Sequence, residues 1–214
     1  MKNSSALKNE LIFHYAAGTT SIAKSLMAST YLFLNSHEAL IYQRFEQYCG
    51  EEFKNSSLVE PKNLKPEDCI KALNFENSKA KIDNNNPINK FLSSYADLKW
   101  KKLFKGFYEH SLNLSEKESI KLIKMDPGIS TPLHSHNGKE YILVLEGSFN
   151  DEYGNYPKGS LQINDSNVKH TPIANEKNGC ICLSITENEL VFYGPLAPIL
   201  NLITFFKSLF FKNS

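Results

Sequence analysis

The spacing of hydrophobic positions changes near residue 100. Before that point apolar residues recur at helical intervals. Leu7, Leu11 and Tyr15 share one helical face, and Ala16-Ala17-Gly18 ends the run where glycine tolerates a helix-terminating conformation. Thr19 or Thr20 is placed to cap a second helix carrying Ile22, Ala23, Leu26, Met27, Thr30 and Leu34. A third is predicted over 36–48 with Leu40, Tyr42 and Phe45. A fourth is predicted over 66–73, where Pro66 opens the first turn and Glu67 and Asp68 favour the positive end of the helix dipole. The polar stretch Asp83-Asn84-Asn85-Asn86-Pro87 reads as a linker. Downstream the period becomes two. Residues 119–124 alternate, residues 141–145 form a continuous run of strand formers, and Asp126-Pro127-Gly128, Asn137-Gly138, Glu146-Gly147 and Pro157-Lys158-Gly159 punctuate short segments. Trp100 opens the first of these strands. Asp151 and Glu152 follow an apolar strand and read as a turn. The pattern predicts an α+β chain of two domains: a helical bundle over 1–80, a linker over 81–95 and a β-barrel over 96–214.

Bulk properties narrow this picture only slightly. The 214 residues are 41% apolar, enough for one large core or two small ones. A net charge of +1 argues against a protein that binds nucleic acid through a basic surface. Residues 1–10 lack the apolar core of a secretory signal, and no run of eighteen apolar residues predicts a membrane-spanning helix. The apolar tail over 198–211 is expected to dock as a strand or helix. A cytoplasmic location with reduced thiols follows as an expectation.

The chemistry concentrates in Gly128-Ile-Ser-Thr-Pro-Leu-His134-Ser-His136-Asn-Gly-Lys-Glu140-Tyr-Ile-Leu-Val-Leu-Glu-Gly147. On a strand His134 and His136 project from the same face, because side chains alternate. The Asn137-Gly138 turn brings Glu140 onto the next strand beside them. His170 is expected from a later strand, after the Pro157-Lys158-Gly159 turn. Three imidazoles and one carboxylate suit Zn, Fe(II), Mn, Ni or Cu. The spacing G-x5-H-x-H-x3-E-x6-G fixes five positions and is the signature of the first cupin motif. The second cupin motif is looser here.

Taken with Tyr15-Ala16-Ala17-Gly18-Thr19, His170-Thr171-Pro172 and Cys180-Ile181-Cys182-Leu183, the motif gives a chain that resembles the ChrR-type anti-sigma factors. The resemblance implies a helical N-terminal domain that sequesters an ECF-type sigma factor. It also implies a C-terminal cupin domain (a double-stranded β-helix) with one divalent metal, most readily zinc, needed to release the sigma factor under singlet-oxygen-type oxidative stress. It further implies a second zinc in the helical domain, bound by an N-terminal His and a later His-x3-Cys-x2-Cys. This chain departs from that pattern. Ala6 stands at the first position, and the later triplet reads Tyr31-x3-Asn35-x2-Glu38. Such residues cannot build a sulfur/nitrogen zinc site. The expectation is therefore a zinc-free helical domain packed through Leu26, Leu32, Phe33, Leu34 and Leu40. His14 and His37 are read as capping or solvated residues.

Cys180 and Cys182 share a strand face, with α-carbons about 6.5–7 Å apart. They read either as redox-sensing thiols near the metal or as small core residues. Cys49 and Cys69 read as packing residues. The competing function is a cupin metalloenzyme, a dioxygenase, isomerase or lyase acting on a small molecule. No acid–base pair stands out to support it. A homodimer and a small-molecule ligand of the barrel fit either reading. Direct nucleic-acid or membrane partners do not.

Overall fold

A computed structural model describes residues 4–55, 98–112, 114, 118–195 and 197–202. The expected fourth helix at 66–73, the linker at 83–87 and Cys69 lie outside the described residues. The chain divides into two compact units, Met1–Ser93 and Ser94–Ser214.

The first unit contains three described helices: α1 (Ser4–Ala16), α2 (Ile22–Leu34) and α3 (Ala39–Asn55). At the end of α1 the backbone N–H of Gly18 and of Thr19 donate to the carbonyls of Tyr15 and His14, as a left-handed C-terminal glycine allows. Helix α2 is capped by Ser21 rather than Thr19 or Thr20, since the Ser21 hydroxyl accepts from Lys24 N–H at 3.2 Å. The core is built from Ile12 and Phe13 of α1, Met27 of α2 and Phe45 of α3, all buried. The Phe13 and Phe45 rings meet edge to face at 5.5 Å. Of the five residues expected to supply packing, Leu32 is buried and Leu26, Phe33, Leu34 and Leu40 are partly buried. Ile22, assigned to the apolar face, is exposed because it opens the helix at its outer end.

The second unit is antiparallel β-structure. Its strands are β1 (Lys101–Phe104), β2 (Phe107–Ser111), β3 (Ser119–Met125), β4 (His134–His136), β5 (Glu140–Asp151), β6 (Gly154–Pro157), β7 (Leu161–Asn164), β8 (Ile173–Ala174), β9 (Cys180–Thr186) and β10 (Leu190–Phe192). They form an eight-stranded sheet ordered β1-β2-β3-β9-β5-β6, with β7 and β8 also paired to β5, and a two-stranded sheet of β4 with β10. Together with the helices this is the α+β, two-unit, cupin-like arrangement expected from the sequence.

Strand β5 organises the unit. Residues 141–145 are buried on both faces, which is why that run is continuously apolar instead of alternating. The register slips between Val144 and Glu146, so the strand bends, and its second half pairs with β6 and β8. Gly147 follows the bend at a φ of 67°. A side chain there would meet the Gly179 carbonyl at 2.1 Å, so the last glycine of the motif is fixed by close backbone approach. The inward side of this strand, with Ile142, Val144 and Phe149, packs against Met125, Ala174, Cys180 and Cys182. No helix among the described residues is long and apolar enough to cross a membrane.

Candidate metal centre

His134 and His136 stand on β4, a strand of three residues. It does not form a hairpin with β5. The Asn137-Gly138 turn instead carries the chain from the small sheet to the large one, and β4 pairs with β10, His134 opposite Phe192 and His136 opposite Leu190. Between the histidines Ser135 points the other way, and its hydroxyl lies 3.0 Å from Tyr193 OH. The short helical segment over 197–202 reaches back to β10. Asn201 Oδ1 accepts from Phe192 N–H at 2.7 Å, and Asn201 Nδ2 donates to the Phe192 carbonyl at 3.1 Å. The tail thus docks as a helix in its described part.

Glu140 opens β5, opposite Asn164 of β7 and Thr186 of β9. His170 lies in no named strand. It faces His134 through an isolated bridge in which each backbone N–H donates to the other's carbonyl, at 3.1 and 3.0 Å. That reciprocal pair, rather than a long ladder, places the fourth residue.

The four side chains converge. One ligand-type atom from each of His134, His136, Glu140 and His170 lies within 4.8 Å of the others. Glu140 Oε2 is 2.9 Å from His136 Nε2 and 3.4 Å from His170 Nε2, and the two imidazole nitrogens are 3.4 Å apart. All four residues are at most 6% exposed. Partners behind the rings set which nitrogen faces inward. His134 Nδ1 is 2.8 Å from the Pro132 carbonyl, and His170 Nδ1 is 3.1 Å from Asp151 Oδ2. Each Nδ1–H therefore donates outward and turns Nε2 toward the cluster, the nitrogen that would face a metal once it carries no proton. Asn164 Nδ2 donates to Glu140 Oε2 at 3.2 Å. His136 Nδ1 is buried with no hydrogen-bond partner among the described residues.

Electrostatics reinforce the geometry. Burial pulls His134 down to about 4, against the opposing pull of Glu140. Burial alone would raise Glu140, yet the imidazoles of His136 and His170 hold its carboxyl far below the usual range. Burial would also lower His170, but its bonds to Asp151 and Glu140 raise it to about 9. Without a metal, one proton on His170 and the Asn164 amide are what offset the Glu140 carboxylate here, away from water. A divalent cation can take the place of that proton and engage all three imidazoles and the carboxylate, so the donor set fits a metal and can hold one.

Three contributors escaped the sequence reading. Asp151, taken as a turn residue, ends β5 with its side chain fully buried against His170. Gln162 and Asn164 sit at i, i+2 on β7 and are buried on the site face. Two polar residues alternating with Leu161 and Ile163 were a signal, but alternation alone does not say which face is inside. Cys180 and Cys182 are free, buried and part of the apolar cluster. The adjacent Cys180 sulfur and burial push the Cys182 thiol well above its usual range. In the helical unit Tyr31, Asn35 and Glu38 are engaged with one another and with Lys8: Tyr31 OH donates to Glu38, Asn35 Nδ2 to the Tyr31 carbonyl, and Lys8 to Glu38. His37 is exposed, 3.7 Å from Glu38, and His14 meets Thr19 Oγ1 at 2.9 Å.

Residues 89–188 match the family model of the ChrR cupin-like domain. Over 96 residues the chain is 34% identical to the anti-sigma-E factor ChrR of Cereibacter sphaeroides, a match covering 45% of this chain and 45% of that protein. The matched stretch thus spans less than half of that relative's length. The chain is also similar to a chain of the crystal structure of Rhodobacter sphaeroides SigE in complex with the anti-sigma ChrR. There the identity is 27% and the TM-score 0.66, covering 83% of this chain and 96% of that one. Residues 89–188 thus match the ChrR cupin-like domain, in a chain similar to one chain of the SigE–ChrR complex over 83% of its length.

Proposed function

We propose that this protein is a ChrR-like regulator. In this reading the cupin-like unit holds one divalent metal, zinc, through His134, His136, Glu140 and His170. The helical unit sequesters an ECF-type sigma factor and releases it under oxidative stress of the singlet-oxygen type. The observation that carries the reading is the buried convergence of four donors inside a ChrR cupin-like domain. The similarity to the ChrR structure extends across 83% of the chain and supports extending the reading to the helices.

Zinc suits a buried set of three nitrogens and one carboxylate, and when bound it supplies a cross-link among four chain positions. The residues around it do the organising. Pro132 and Asp151 orient two imidazoles, and Asn164 steadies Glu140. The helical unit is proposed to be free of zinc. Asn35 Nδ2 closes the end of α2 on the Tyr31 carbonyl, and Tyr31 and Lys8 both bind Glu38 Oε1, which ties the helices together.

The test combines metal content with binding. Full-length protein should carry about one zinc per chain, and His134→Ala/His136→Ala almost none. Wild type co-expressed with ECF-type sigma factors should co-purify with one of them. Absence of metal refutes the cupin assignment. Failure to capture any member of an ECF sigma-factor panel refutes the anti-sigma assignment.

A further inference from the structure

The turn that ends β5 grips the segment carrying His170 at three consecutive residues. Asp151 Oδ2 accepts from His170 Nδ1 at 3.1 Å. Glu152 Oε2 accepts from Thr171 N–H at 2.9 Å. Tyr153 OH donates to the Lys169 carbonyl at 3.0 Å. Residues 151, 152 and 153 thus hold residues 170, 171 and 169.

Asp151 is itself held from several sides. Its Oδ1 accepts from the backbone N–H of Tyr153 at 2.8 Å and of Gly154 at 3.1 Å. Its Oδ2 also accepts from Gln162 Nε2 at 2.6 Å. The side chains of Asp151 and His170 are both fully buried. With four donors on two oxygens the carboxylate has no rotational freedom left, so the imidazole it binds is fixed in plane and in tautomer. A histidine outside any strand needs such support, since among the described residues its backbone is anchored by the bridge to His134 alone.

We propose that Asp151 is a positioning residue of the metal centre, and that the 151–153 turn is a clamp that sets the fourth ligand. Asp151 orients His170 so that Nε2 faces the other donors, and it strengthens that nitrogen as a ligand. Gln162 holds Asp151 in place from β7. This inference rests on the reading that the four-residue cluster binds a divalent metal.

The test uses full-length protein with Zn(II) under chelator competition and Co(II) as a spectroscopic probe. Asp151→Asn keeps the shape and removes the charge. It should weaken Zn(II) about 10- to 100-fold and shift the visible Co(II) bands. A role confined to stability would lower the melting point and leave the Co(II) spectrum unchanged. The surface double variant Glu152→Ala/Tyr153→Phe loosens the clamp without touching the buried carboxylate, and should weaken Zn(II) by roughly 2- to 10-fold. Asp151→Asn with wild-type affinity and spectrum overturns the proposal and leaves the metal reading standing. If Asp151→Asn does not fold, unchanged affinity in the double variant overturns it. Wild type that binds neither ion overturns both.

Discussion

Lys8 Nζ lies 2.7 Å from Glu38 Oε1, and Tyr31 OH donates to the same oxygen at 3.1 Å. One carboxylate oxygen therefore joins α1, α2 and the turn leading into α3, where the Glu38 carbonyl also accepts from Ile41 and Tyr42. Glu38 is buried, and its Oε2 has no partner among the described residues. Burial and the neighbouring Glu38 push the Tyr31 hydroxyl up to about 12, so it stays protonated as a donor. Removing Lys8 leaves a buried carboxylate with one partner fewer. Lys8→Ala should destabilise the protein by roughly 1–3 kcal/mol in urea titrations followed by circular dichroism. Lys8 is partly exposed, so screening favours the lower end. Lys8→Ala as stable as wild type would show that the cross-link carries no weight.

Metal removal should act on the β-unit and not on the helices. Dialysis against a chelator is expected to lower the thermal transition of the β-unit, with helical ellipticity retained. His136→Ala should reproduce that shift without chelator, since it deletes a donor that is 1% exposed. Loss of helical signal on chelation would mean that the helices also depend on a metal.

In the metal-stripped protein the histidines give opposite pH slopes. His134 sits at about 4 in the fold and near 6.5 in an unfolded chain. Between those values the unfolded state binds the extra proton, so stability falls as pH drops from 6.5 toward 4. His170 sits at about 9, so its contribution is complete below 6.5 and is lost as pH rises to 9. Their sum peaks near pH 6.5. Urea midpoints of stripped protein from pH 4 to 9 should show that maximum, with arms on the order of 1–3 kcal/mol. A monotonic profile would contradict the assignment of the two shifts.

Gly147→Ala should be among the most damaging single-methyl changes in the chain. The added carbon would fall 2.1 Å from the Gly179 carbonyl, at a backbone angle that L-residues avoid. Destabilisation of at least about 2 kcal/mol is expected from thermal melts. Gly128→Ala meets open space and should cost only the left-handed backbone, about 1 kcal/mol.

Cys180 and Cys182 should be slow to react. Both are at most 3% exposed, and the Cys182 thiol is held well above its usual range by the adjacent Cys180 sulfur and by burial. Alkylation read peptide by peptide should label them only on unfolding. Rapid native labelling, or rapid oxidation by peroxide, would instead revive a thiol-sensing role.

Much of this molecule could be read from the chain because its strongest signals are local. The histidine pair, Glu140 and the two motif glycines all lie within 20 residues, and strand alternation was enough to bring His134 and His136 to one face. Helix α1 ended where Gly18 allowed. Less legible was whatever depends on which strands meet. Nothing local says that β4 pairs with β10 and not β5, because a hairpin turn and a sheet-crossing turn share the same Asn-Gly chemistry. Asp151 looked like a turn residue because it is the last residue of β5, where the turn into β6 begins. Its burial comes from His170, 19 residues away. Gln162 and Asn164 carried no reading, because alternation alone does not say which face of β7 is inside.

The pairing of β4 with β10 bears on where this domain can be cut. All four donors lie between residues 134 and 170, inside the family match that ends at 188. Yet the strand that backs two of them begins at Leu190, and Asn201 latches that strand in turn. A fragment trimmed to the matched segment would keep every ligand and lose the frame that aims half of them. The frame around these four side chains is therefore longer than the motif, and reaches to Asn201.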